Sequence, residues 1–130
     1  MKSLSLSVLP GRLAICRLSP DEPIPEILAH AQFWSATRTD EELSVVVPEG
    51  AVPACWKAER GWRCLKVLGL LDFDLTGILA SLAVPLDKAG VSIFAISTHN
   101  RDYLLVRDGD LEKAKRILMA SGHAVDGKHA

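Results

Sequence analysis

The chain has 130 residues, of which 48% are apolar and 24% charged, and its formal net charge is −1. The length suits one domain or two very small ones, and the composition is that of a globular chain and not of a disordered one. A charge balance near zero argues against nucleic acid or an anionic membrane as a partner, since both favour a basic face.

The sequence predicts neither a signal peptide nor a membrane span. Residues 1–7 alternate apolar and polar side chains, whereas a signal peptide needs a continuous apolar run. The longest apolar-rich stretch, residues 78–89, is interrupted by Ser81, Pro85 and Asp87. It is also far shorter than the ~20 residues that cross a bilayer. We therefore expect a cytoplasmic protein.

The three cysteines, Cys16, Cys55 and Cys64, have no spacing that is typical of metal ligands. Buried free thiols explain an odd number of cysteines better than a zinc site does. The sequence therefore predicts no metal and no cofactor.

The first half of the chain consists of short alternating runs. Leu4-x-Leu6-x-Val8 and Leu13-x-Ile15 flank Pro10-Gly11, a pattern that predicts a β-hairpin. A short helix, two strands and at most one helical turn are then expected over residues 24–31, 33–39, 43–47 and 48–53, respectively.

The second half has clearer boundaries. A strand over 62–68 is expected to lead through a loop into a helix that Thr76 caps and Gly90 ends. Two strands over 91–98 and 103–106, a helix from Asp110 to Gly122 and a short strand over 123–125 complete the prediction.

The two halves resemble each other at two offsets. Residues 12–29 lie over residues 63–80 at an offset of 51, with five identities, and residues 37–43 lie over residues 97–103 at an offset of 60. The second alignment sets Glu42 against Asp102. We interpret the match as a duplication, although chance similarity of two such units is the alternative. Each half then has the ferredoxin-like order β-α-β-β-(α)-β.

One motif points to an enzyme instead. An apolar strand followed by Asp72-x-Asp74-x-Thr76 resembles the first motif of haloacid-dehalogenase-like phosphatases, in which the two aspartates work beside Mg²⁺. Only 58 residues follow Asp72, too few for the rest of that domain, and Leu75 replaces a frequent glycine. The simpler interpretation is that the two carboxylates order a loop before a helix N-terminus.

Several segments resemble a family of small bacterial tandem ACT proteins. Residues 33–46 are similar to the first module's hairpin, residues 61–67 with 71–80 to the start of the second module, and residues 90–106 to its central hairpin. The same modules occur in the CASTOR-type cytosolic arginine sensors. The resemblance implies an α+β fold of two ferredoxin-like βαββαβ modules, with antiparallel sheets and helices on one face. The modules are expected over residues 1–61, with shortened helices, and residues 62–130.

The resemblance also implies a ligand site. An amino acid carboxylate needs exposed backbone N–H groups, such as those of a helix N-terminus, and the ammonium needs an acid. By motif, the family's contact positions correspond to Asp72, Phe73, Asp74, Leu75, Thr76, Gly77, Ile78, Thr98, His99 and Asp102. Leu75 stands where CASTOR-like proteins carry an acid, so the resemblance implies an amino acid as ligand but does not imply arginine in particular. Pro23 and Pro25 remove N–H donors from the first module, which is therefore the poorer site.

We thus expect a regulatory protein without catalytic residues. It binds a small ligand, an amino acid, at the loop between the first strand and helix and at the module interface. It is expected to form a homodimer through ACT–ACT contacts and to act on a regulated protein that the sequence does not name. The alternatives are a structural or partner-binding tandem module without a ligand and, more remotely, the Mg²⁺-dependent phosphatase.

Overall fold

The computed structural model describes residues 3–68 and 77–126, and the structural statements below concern these residues. The chain divides into two compact units. Gly11–Trp62 forms one, which we call the continuous unit. Met1–Pro10 and Arg63–Ala130 together form the other, which we call the split unit.

The elements follow the expected order along the chain. The strands are β1 (Ser5–Val8), β2 (Leu13–Leu18), β3 (Ser35–Arg38), β4 (Leu43–Pro48), β5 (Lys57–Val67), β6 (Ile93–Ser97), β7 (Asp102–Arg107) and β8 (Ala124–Asp126). The helices are α1 (Ile78–Lys88) and α2 (Leu111–Ala120), and short 3₁₀ helices span Glu26–His30, Glu49–Ala51 and Asp108–Asp110.

The continuous unit contains β2, β3, β4 and the first half of β5, side by side in the order β3-β4-β2-β5. All three pairings are antiparallel, and Leu18 faces Leu43 across β2 and β4. The 3₁₀ helix Glu26–His30 occupies the position of a crossover helix, and its Leu28 is buried. Pro23 and Pro25 keep the helix from starting earlier, because a proline disfavours the helical conformation of the residue before it.

The split unit contains β6, β7, the second half of β5, β1 and β8, in that order across the sheet. Its core consists of side chains from β1, β5 and β7 and from both helices. These are Leu6, Val8, Leu65, Val67, Leu82, Leu86, Val91, Leu104, Val106, Leu111, Ala114 and Leu118. Each buried aliphatic side chain of this size contributes about 1.5–3 kcal/mol to folding. The expected α+β class with a ferredoxin-like element order is confirmed.

The expected hairpin between residues 4–8 and 13–15 is wrong. β1 pairs antiparallel with β5 at Leu65–Val67 and parallel with β8, whereas β2 pairs with β4 and with the first half of β5. The chain does turn at Gly11, where φ is 81°. Alternation identifies strands but not their partners, and β5 is long enough to pair with both.

β5 begins five residues before the strand that the sequence predicts. Its polar start, Lys57–Arg60, hides the strand pattern. A bulge interrupts the strand, because Leu13 faces Trp62 whereas Ile15 faces Glu59. Gly61 supplies the positive φ of 80° that the bulge needs, and its N–H donates to Glu49 Oε1 at 3.1 Å.

The thiols differ in exposure. Cys16 and Cys64 are buried, as expected, whereas Cys55 is exposed because it lies in a turn that follows Pro53. Burial raises the pKa of Cys64 to about 12, so its thiol stays protonated at neutral pH. Burial likewise raises the pKa of Cys16, and Arg60 opposes part of that shift. Over residues 3–68 and 77–126, no three His, Cys, Asp or Glu side chains cluster as metal ligands would.

Both helices are short. Within the described ranges, neither combines the length with the apolar character that a membrane crossing requires.

Candidate functional site

One end of the split unit's sheet gathers several chain segments. Arg63, at the start of the unit's part of β5, donates to Asp108, just beyond β7, over 3.4 Å. β5 and β7 therefore run antiparallel, so that β7 begins where β5 ends. Leu68 N–H donates to Ser5 O at 2.8 Å, which sets the start of β1 at the same end. We call this the hairpin end, after the β6–β7 turn located there.

The first turn of α1 also lies at the hairpin end, and a buried histidine holds it there. The N–H of Leu4 donates to His123 Nδ1 at 3.1 Å, and His123 Nε2–H donates to Ser81 O at 3.1 Å. These two bonds use the neutral ring with its proton on Nε2. His123 thus ties α1 to the start of β1, a role that the sequence did not indicate.

The N-terminus of α1 presents backbone donors. Ser81 N–H makes the first helical bond, to Gly77 O at 2.8 Å. The N–H groups of Ile78, Leu79 and Ala80 therefore have no acceptor within the helix, and no side chain of the N-cap residue bonds to the helix backbone. Such N–H groups, together with the helix dipole, favour a bound anion such as a carboxylate.

Gly77 has a conformational reason to be glycine. Its φ is 87°, in the left-handed region, and a Cβ there would meet no atom of the described residues within 4 Å. We expect Gly77→Ala to lower the free energy of unfolding by about 1 kcal/mol, and Gly77→Asn to lower it less, because asparagine tolerates this region better. Urea denaturation of the three proteins measures the difference. Equal stability of the alanine variant and the parent would contradict this explanation. The role of Gly77 as one of the expected ligand contacts stays a prediction.

The β6–β7 hairpin carries an acid on the side that faces the helices. Ser97 and Asp102 are cross-strand neighbours, and Ser97 Oγ donates to Asp102 Oδ1 at 2.7 Å. Leu104 and Val106 alternate with Asp102 along β7 and belong to the core. Asp102 therefore lies on the same sheet face as the core, at the edge nearest the hairpin turn.

The turn itself is closed by its own side chains. Thr98 N–H donates to Arg101 O at 2.8 Å, and Thr98 Oγ1 accepts from Arg101 N–H at 3.1 Å. His99 Nδ1–H donates to Asn100 Oδ1 at 2.8 Å. The Thr98 hydroxyl thus shapes the turn, whereas the exposed ring of His99 keeps Nε2 available.

Five of the ten expected ligand contacts lie outside the described residues, namely Asp72, Phe73, Asp74, Leu75 and Thr76. The motif of the phosphatase alternative and the expected Thr76 cap fall there too. The structure brings the other five, Gly77, Ile78, Thr98, His99 and Asp102, to the hairpin end. The side chain of Ile78 is buried, so only its backbone can face a ligand. Sequence reasoning missed Ser97 as the partner of Asp102, although alternation along β6 sets it on the face of Ala95.

The hairpins of the two units correspond at an offset of 59, and the expected offset of 60 is wrong. Thr39 N–H donates to Glu42 O at 2.9 Å, and Thr39 Oγ1 accepts from Glu42 N–H at 3.2 Å. These are the bonds that Thr98 makes in the other turn. The counterpart of Asp102 is therefore Leu43, which is fully buried, and not Glu42. The sequences of short polar turns can be aligned at several offsets. The hydrogen bonds of Thr39 and Thr98 select the offset of 59.

Comparison with known proteins places this geometry in a family. A model described as an ACT domain matches residues 57–120, and a model of an N-terminal domain matches residues 11–55. A crystal structure of an Agrobacterium tumefaciens protein is 40% identical, with a TM-score of 0.95, over 100% of this chain and 97% of that one.

Two more distant structures share the fold. The ligand-free regulatory subunit of aspartate kinase from Thermus thermophilus is 13% identical, with a TM-score of 0.67, over 92% of this chain and 99% of that one. Aspartate kinase from Clostridium acetobutylicum is 14% identical, with a TM-score of 0.68, over 89% of this chain and 34% of that one. The chain belongs to the same family as the Agrobacterium tumefaciens protein, and its residues 57–120 match the model of an ACT domain.

Proposed function

We propose that this chain is a non-catalytic regulatory protein whose ACT domain binds a free amino acid at the hairpin end. One observation carries the proposal: backbone donors at the start of α1 and the Asp102 carboxylate occupy the same end of the unit. The shared fold with an aspartate kinase regulatory subunit supports a regulatory role.

The chemistry matches a zwitterion. The N–H groups of residues 78–80 suit a carboxylate, and Asp102 suits an ammonium. Ser97 already occupies one lone pair of Oδ1, so the hydroxyl holds the carboxylate in place and leaves Oδ2 for the ligand. The two halves of the site thus carry complementary charges for the two ends of an amino acid.

The first experiment is a thermal-shift screen against the twenty amino acids. A ligand at about 100 times its dissociation constant adds about 2.7 kcal/mol to stability, which is several degrees for a domain of this size. If no amino acid shifts the melting temperature, a module that serves only protein contacts becomes the better interpretation.

The second experiment removes the charge of Asp102. We expect Asp102→Asn to weaken binding of the amino acid found in the screen by at least about tenfold, because a charge-assisted hydrogen bond contributes about 1.5–3 kcal/mol. Asp40→Asn, at the exposed β3–β4 turn of the continuous unit, is the matched control and is expected to bind like the parent. Titration calorimetry measures both. Equal affinity of Asp102→Asn and the parent would mean that the ammonium binds elsewhere.

We further propose that the continuous unit is a second, reduced ACT-like module of the tandem type found in CASTOR-like proteins. Its strand order β3-β4-β2-β5 corresponds to β6-β7-β5-β8 of the split unit once β1 is set aside. The 3₁₀ helix Glu26–His30 stands where the ACT domain has α1, and the 3₁₀ helix Glu49–Ala51 corresponds to Asp108–Asp110 at the offset of 59. The threonine-closed turn recurs at the offset of 59. These three likenesses support a duplication.

We also propose a homodimer formed through the ACT domain. Among the described residues, β6 pairs with β7 alone and leaves its other edge open. Beside that edge lies a cavity of about 540 Å³, lined by Ala83, Val84, Asp87, Val91, Ser92 and Ile93. Val84 is 49% exposed, so a second copy would cover both the strand edge and an apolar helix face.

Sedimentation velocity tests the dimer. The parent is expected at twice the chain mass of 14.1 kDa, and Val84→Lys is expected at the mass of one chain. Met119→Lys is the matched control, since Met119 is 48% exposed but lies on α2. A parent that sediments at 14.1 kDa at micromolar concentration would rule the dimer out.

A further inference from the structure

The two units differ at one pair of corresponding positions. At the offset of 59, Ser97 of the ACT domain corresponds to Arg38 of the continuous unit. Arg38 faces Leu43 across β3 and β4, as Ser97 faces Asp102 across β6 and β7. Leu43 belongs to the core, so Arg38 also lies on the core-facing side of its sheet, at the turn end.

Arg38 reaches across to the loop that follows β2. Its Nη1 donates to Pro20 O, and its Nη2 donates to Glu22 O at 2.7 Å. That loop is the counterpart of the segment between β5 and α1, because β2 and β5 correspond at the offset of 51. In the continuous unit, a guanidinium from the hairpin therefore spans the gap between hairpin and loop. In the ACT domain, a short serine stands at the same position.

We propose that Arg38 is a built-in cation that fills the continuous unit's counterpart of the ligand site. Two carbonyl oxygens accept hydrogen bonds from its planar guanidinium group. A protein would hold an external guanidinium or ammonium in the same way. The continuous unit therefore binds no added cation while Arg38 is present. This inference rests on the proposed function, which assigns a ligand site to the corresponding position of the ACT domain.

The test uses Arg38→Ala and the small cation methylguanidinium. Glu22 N–H, which donates to Ser19 O at 3.1 Å, reports on the loop. Hydrogen exchange at this amide is expected to accelerate at least about tenfold in Arg38→Ala. The two hydrogen bonds from the guanidinium oppose opening of the loop, and the variant lacks them. Millimolar methylguanidinium chloride is expected to slow the exchange again in the variant and to leave the parent unchanged.

Two further variants complete the experiment. Arg38→Lys keeps the charge but cannot donate as a fork to two carbonyls, so its exchange rate is expected between those of parent and alanine variant. Arg17→Ala removes the guanidinium that approaches Glu41 O over 3.5 Å, and is expected to leave the Glu22 amide unaffected.

Unchanged exchange in both Arg38 variants would overturn the proposal, and so would equal protection of parent and Arg38→Ala by methylguanidinium. No ACT-domain ligand enters this assay, so failure of the amino acid screen would count against the proposed function and not against the role of Arg38.

Discussion

Leu104→Ala is expected to lower the free energy of unfolding by about 2–5 kcal/mol. Leu104 is fully buried in the middle of β7, in the cluster that also includes Leu65, Leu82 and Leu118. Removing three carbon atoms there leaves a cavity that neighbours on the sheet and on both helices can fill only in part. A loss of this size is a large fraction of the stability of a small domain.

Urea denaturation followed by circular dichroism measures the effect. Leu79→Ala is the matched control, because Leu79 is 38% exposed on α1 and loses less buried surface on truncation than Leu104 does. It is expected to cost at most about 1 kcal/mol. Similar losses for the two variants would mean that Leu104 does not lie in a close-packed core.

His123→Ala is expected to lower the free energy of unfolding by about 2–3 kcal/mol. His123 is 4% exposed, and its two ring nitrogens satisfy Leu4 N–H and Ser81 O. Truncation leaves both backbone groups without their partner, and each buried unsatisfied group costs about 1–3 kcal/mol. Water that enters the space left by the ring offsets part of that cost.

Two further substitutions separate this hydrogen-bonding role from lost packing. His123→Asn offers Leu4 N–H an acceptor near the position of Nδ1, so it is expected to recover part of the loss and to slow exchange of the Leu4 amide relative to His123→Ala. His99→Ala, at the exposed β6–β7 turn, is expected to leave stability within about 0.5 kcal/mol of the parent. Equal losses for the asparagine and alanine variants would contradict the hydrogen-bonding role.

Elements defined by local pattern could be predicted from the sequence. The apolar run over residues 103–106 indicated β7, Gly90 ended α1 as expected, and residues 48–53 formed only a single turn. Helix propensity was overestimated only at residues 24–31, where two prolines leave a 3₁₀ helix.

Features that depend on distant parts of the chain could not be predicted in this way. The partner of β1 depends on β5 and β8, and no residue near Leu6 encodes that choice. The alignment that paired Glu42 with Asp102 failed because composition does not reveal which residue of a polar turn closes it. The hydrogen bonds of Thr39 and Thr98 show that these threonines close the two turns. For the same reason Arg38 passed unnoticed, since its partners Pro20 and Glu22 are determined by the fold.

The position of β1 between β5 and β8 has a consequence for synthesis of the protein. Leu6 leaves the ribosome early, yet its neighbours Val67 and Val125 emerge much later. The continuous unit holds all its strands within residues 11–62 and can fold while translation proceeds. The split unit cannot complete its sheet until β8 is made, because β1 pairs with both β5 and β8. A gene fragment cut to residues 57–120 would lack both β1 and β8, and β5 would become an edge of the remaining strands β6-β7-β5.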